Sequence, residues 1–71
     1  MRYIIALPGG KYVDIDGHSG GYPYPVDSPF RAKIWDNKQK ATDYLNMFNK
    51  TDNYGMKLAR VCIIEYVIKP I

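Results

Sequence analysis

The residues with the most suggestive chemistry sit near one end of the chain. Gly17-His18-Ser19-Gly20-Gly21 matches the G-x-S-x-G pattern of a nucleophile elbow letter for letter. That elbow works only on a sharp strand-to-helix turn, with an acid and a histidine further along the chain. Here it lies in a glycine-rich stretch, and no histidine follows His18. Asp14, Asp16 and His18 alternate, so three potential metal ligands could share one side of an extended segment. Asp14-x-Asp16-Gly17 also opens like a calcium loop, but Pro25 stands where the bidentate glutamate belongs. A single histidine and a single cysteine supply neither a zinc set nor a catalytic pair. No constellation capable of running a reaction emerges, and neither a cofactor nor a metal is expected. The expectation is a protein that is not an enzyme.

Contact chemistry is better represented. Arg31, Lys33 and Trp35 alternate, with Lys38 and Lys40 close behind. Cations beside an aromatic suit single-stranded nucleic acid, where bases stack on rings and phosphates meet lysine. They equally suit a protein interface, where Arg and Trp are common anchors. Tyr22-Pro23-Tyr24-Pro25 adds two tyrosines, which give a large contact area at low entropic cost. The candidate partner-binding residues are therefore Tyr22, Tyr24, Arg31, Lys33, Trp35, Lys38 and Lys40.

Seventy-one residues make a single domain, 1–71. A core this small supplies roughly 3–5 kcal/mol unless something helps it. Cys62 has no second cysteine to pair with, and its neighbours mark it as a small buried hydrophobe. The lack of disulfides suits a reducing, cytoplasmic setting. The opening apolar run, residues 1–7, is too short for a signal peptide core or a membrane span. The net charge of +3 is unevenly spread. No base lies between Lys11 and Arg31, where Asp14, Asp16 and Asp27 stand. From Arg31 to Arg60 seven bases face three acids. That polarity favours an oriented partner, without the dense basic stripe of a dedicated DNA binder.

The elements that must position these residues follow from periodicity. Residues 2–7 read as a first strand, Pro8-Gly9-Gly10 as a turn, and residues 11–16 as the second strand of a hairpin. Residues 17–29, with three prolines and three glycines before Phe30, read as a long loop. A short strand is expected over 30–35, with Ala32 and Ile34 facing inward. Asp36 and Gln39 approximate a capping box for a helix over 37–49, whose apolar stripe is Ala41, Tyr44, Leu45 and Phe48. A last strand is expected over 58–68. The order is β-β-loop-β-α-β: an α+β fold, with a small, mostly antiparallel sheet of about four strands and one helix on one face.

The last strand is apolar on both sides, with Cys62 and Ile64 on one and Val61 and Ile63 on the other. Such a run belongs to a strand covered on both faces, yet only one helix is in evidence. Three covers are open for the second face: the loop through Tyr22, Tyr24 and Val26, a second copy forming a homodimer, or a partner.

The run Ala32-Lys33-Ile34-Trp35-Asp36-Asn37-Lys38-Gln39-Lys40-Ala41-Thr42-Asp43-Tyr44-Leu45 resembles small bacteriophage-encoded accessory proteins. Many of these open with a strand such as Arg2-Tyr3-Ile4-Ile5 and close with one such as Val61-Cys62-Ile63-Ile64-Glu65-Tyr66-Val67. The resemblance spans most of the chain and departs from it over residues 17–29. It implies a non-enzymatic accessory protein in the host cytoplasm, of the kind that inhibits a host protein such as a defence nuclease, and it carries over no catalytic residue. The alternative expectation is a nucleic-acid-binding regulator using the basic half from Arg31 to Arg60. No membrane partner is expected.

Overall fold

Strand β1, Tyr3–Leu7, turns through Pro8-Gly9-Gly10 into β2, Lys11–Asp14, in a computed structural model that describes residues 1–15, 20–50 and 53–68. The tight reversal needs two successive residues at positive φ, and Gly9 (79°) and Gly10 (76°) supply them. Leu7 pairs with Lys11 and Ala6 with Tyr12. β3, Tyr24–Val26, pairs with β2, and β4, Arg60–Ile63, pairs with β1. All pairings are antiparallel, in the order β3-β2-β1-β4. Helix α1, Lys38–Phe48, packs on one face. The fold is thus a small α+β domain with a four-stranded antiparallel sheet and one main helix.

Three elements differ from their expected positions. The third strand lies at Tyr24–Val26, inside the stretch read as a loop. Pro25 is tolerated there because it sits opposite Val13 between the Tyr12–Val26 and Asp14–Tyr24 pairs, on an edge strand where its missing N–H faces outward. Residues 30–35 form a 3-10 turn, Pro29–Arg31, and then a wedge rather than a strand. The Lys33 N–H donates to the Val13 carbonyl (3.0 Å), and Trp35 and Tyr3 exchange both backbone bonds (2.7 and 2.8 Å). The segment so fills the gap where β1 and β2 diverge. Ala32 is buried as expected, but Ile34 is 40% exposed: the two-residue alternation that would have put both inward on a strand does not carry through the wedge.

The cap of α1 also moves by one residue. Asn37 is the N-cap, its Oδ1 accepting from the Lys40 N–H at 3.1 Å, while the Gln39 amide donates one turn along to Asp43. The expected stripe holds. Ala41 and Leu45 are buried, and Tyr44 and Phe48 flank Ile5, Leu7, Val13 and Met56. Met56 arrives on a second 3-10 turn, Asn53–Leu58. There Gly55 (φ 81°) lies so close to Pro8 that a Cβ would stand 2.6 Å from the proline Cγ.

The last difference answers the apolar excess of residues 58–68. The strand stops at Ile63 and the chain becomes a short helix, α2, Ile64–Ile68. The Ile64 N–H makes a last ladder bond to the Arg2 carbonyl (2.9 Å), and the Arg2 guanidinium pairs with Glu65 at 3.2 Å. The turn into helix brings Ile64 and Val67, one helical turn apart, onto the second face. They pack there with Ile4, Val26, Ala32, Tyr12, Tyr24 and Cys62. The face expected to stand open is therefore closed by α2, β3 and Ala32, which follows the Pro29–Arg31 turn, so a homodimer through it has no basis. β-Branched residues at 63, 64, 67 and 68 argue locally for strand; burial of Ile64 overrides that preference.

Candidate functional site

The seven candidate residues do not form one patch. Tyr24 and Tyr22 lie on opposite faces of the sheet. Tyr24 is half-buried with the α2 cluster, and its hydroxyl donates to Asp14 Oδ2 at 2.9 Å. It is structural cover. Tyr22 is exposed and meets Phe48 edge-on, with centroids 5.4 Å apart. Arg31 ends the 3-10 turn on the α2 side, exposed.

Lys33, Trp35 and Lys40 do come together. The Trp35 backbone is locked to Tyr3 on both sides, which fixes the indole against Tyr44 at 5.3 Å. Lys33 Nζ lies 5.4 Å from the Trp35 ring centroid, within cation–π range. Lys33, Ile34, Trp35, Asp36 and Lys40 line an open concavity with Arg2, about 490 Å³ in volume. Three bases and one acid thus rim an apolar floor. Lys38 faces another cleft, beside Tyr3 and β4.

Trp35 is one end of a row of rings. Tyr44 contacts Phe48 at 4.7 Å, and Phe48 meets Tyr22. Sequence reasoning placed Tyr44 and Phe48 in the core stripe and missed that the stripe continues outward into Trp35 and Tyr22. The signal was their one-turn spacing, i to i+4, beside two flanking aromatics. The Tyr44 hydroxyl donates to the Gly21 carbonyl (2.8 Å), tying α1 to the loop, and burial pushes its pKa up to about 12. The Trp35 Nε1 is buried and finds no hydrogen-bond partner among the described residues.

Other chemistry stays thin. Cys62 is half-buried, and its thiol is pushed up by burial against a smaller opposing effect of Arg60, which disfavours the reactive thiolate. No group of three or more His, Cys, Asp and Glu able to hold a metal occurs among the described residues. Asp16, His18 and Ser19, and with them the elbow-like and calcium-like patterns, lie outside those residues. No described helix is long and apolar enough to cross a membrane. No protein-family model matches the chain, and no curated protein or solved structure matches it either.

Proposed function

We propose that the protein is a small non-enzymatic binding protein that engages an acidic patch on a protein partner. The observation that carries this reading is the concavity around Trp35. An anchor held by two backbone bonds and a ring contact loses little entropy on binding. Arg2, Lys33 and Lys40 around it favour a negatively charged rim on the partner. The likeness to phage accessory proteins would make that partner a host protein and the binding inhibitory. The row of four rings ending at Lys33 favours a second reading, a single-stranded nucleic acid stacked along it.

Capture from lysate of the cell in which the protein acts separates these. A protein retained by wild type and lost by both Trp35→Ala and Lys33→Glu supports the reading. A partner held equally by both variants sinks the proposed surface. Nuclease-sensitive retention whose affinity falls steeply with salt transfers the site to nucleic acid.

A further inference from the structure

The sheet has two edges, and they are treated differently. β3 is three residues long and carries Pro25, a common way to blunt an edge. β4 carries neither proline nor lysine, and among the described residues nothing pairs with its outer side. The ladder fixes which backbone groups face out. Ile64 bonds to Arg2 across β1, so alternation makes Ile4–Cys62 and Ala6–Arg60 the hydrogen-bonded pairs. Tyr3–Ile63 and Ile5–Val61 are then the non-bonded pairs, and the peptide groups of Val61 and Ile63 point away from β1. An apolar cleft of about 300 Å³ runs beside them, lined by Tyr3, Lys38, Val61, Cys62, Ile63 and Tyr66.

We propose that this edge pairs antiparallel with the same edge of a second copy, about a two-fold axis at Cys62, giving one continuous eight-stranded sheet. The strand is self-complementary in this register and in no other. A two-fold at Cys62 sets Val61 opposite Ile63 of the other copy, twice, so the outward groups meet each other. A two-fold at Val61 needs Ala59, whose N–H is already bonded to the Met56 carbonyl. A two-fold at Ile63 needs residue 64 and beyond, which are helical. The Cys62 register also brings the Leu58 end of each strand to the Tyr66 end of the other. Both side chains are 72% exposed in the single chain. Charge agrees: the exposed Arg60 of one copy comes to the end of the other that carries Glu65, which is paired with Arg2 within its own chain.

The register makes Cys62 a reporter. Residues opposite one another in a non-hydrogen-bonded antiparallel pair have Cα atoms about 4.5 Å apart, within the span a disulfide bridges. Sedimentation across a concentration series should give a species of twice 8.2 kDa. Mild oxidation should then link the two Cys62 residues, and Cys62→Ser should abolish the link while leaving the dimer. Leu58→Glu sets like charge against the Glu65 end and touches no core contact, so it should weaken association by about tenfold or more. Val61→Pro removes an outward N–H and should give the monomer. Three results overturn the proposal: a mass of 8.2 kDa at every concentration, a dimer whose Cys62 residues do not cross-link, or a dimer unweakened by Leu58→Glu.

Discussion

The two faces of this sheet are closed by different means. On one, a single helix of eleven residues, capped by Asn37, lays Ala41, Tyr44, Leu45 and Phe48 over Ile5, Leu7 and Val13. On the other, cover is assembled from pieces: the five-residue α2, Ala32 just beyond a three-residue 3-10 turn, and the edge strand β3, meeting over Ile4. A continuous helix makes its own hydrogen bonds and spreads one stripe over the core. A composite cover depends on each piece being held by the others and is the less cooperative of the two. A small domain thus closes a second face without spending the residues a second full helix needs.

Ile4 and Ile5 are the sharpest way to break that comparison. They are adjacent on β1, identical in chemistry and 0% exposed, yet they point to opposite faces. Truncating a buried isoleucine costs about 2–5 kcal/mol, depending on how far the surroundings collapse into the cavity. The capped α1 is the stiffer roof, so Ile5→Ala should fall near the top of that range. Ile4→Ala should cost less because α2 can settle inward. Chemical denaturation measures both. Amide exchange adds a distinct signature, with Ile4→Ala speeding exchange in α2 selectively while Ile5→Ala speeds it throughout. Equal costs and identical exchange patterns would mean that the two roofs are equally rigid.

A smaller effect sharpens the α1 side. Gly55 delivers Met56 under the helix while pressed against Pro8. Gly55→Ala meets both a positive φ and a Cβ contact of 2.6 Å, so it should cost about 2–3 kcal/mol. Gly9→Ala meets positive φ in open space and should cost about 1 kcal/mol. Thermal melts of the two variants isolate the Pro8 contact as the difference.

What could be read from the chain follows the same division. The α1 face was legible because its signals are local: a polar cap, a stripe with helical spacing and a Gly-Gly turn between alternating strands. The second face was not, because its cover is decided by tertiary burial. Ile64-Glu65-Tyr66-Val67-Ile68 looks like strand by residue type, and only the open side of Ile4 makes a helix there the better solution. Tyr24-Pro25-Val26 looks like loop because proline counts against strand, and only its edge position removes the objection. The candidate site divided likewise. Lys33 and Trp35 were recognisable as an alternating pair, but which of Tyr22 and Tyr24 would join them depended on the loop crossing from one face to the other.

The smallest expected effects concern pH, and they separate the faces by sign. Tyr44 belongs to the α1 face, and burial raises its pKa from 10.0 to about 12. Its folded form favours the neutral phenol, so this contribution is whole below pH 10 and is lost as pH rises toward 12. Glu65 anchors α2. Burial works against its ionised form, but hydrogen bonding to its own backbone N–H and to Arg2 outweighs that and lowers its pKa below 4.5. Its contribution is present above that ordinary value and is lost as pH falls through the lowered one. The carboxylate is exposed and the gain small. Alkaline titration should therefore loosen α1 first, and acid titration α2 first, as followed by residue-resolved amide exchange. Tyr44→Phe should remove much of the alkaline loss, and Glu65→Gln should flatten the acid one without changing α1. Loss of both helices together at both extremes would show that α1 and α2 unfold as one unit, and the distinction between the two roofs would then be one of geometry rather than of stability.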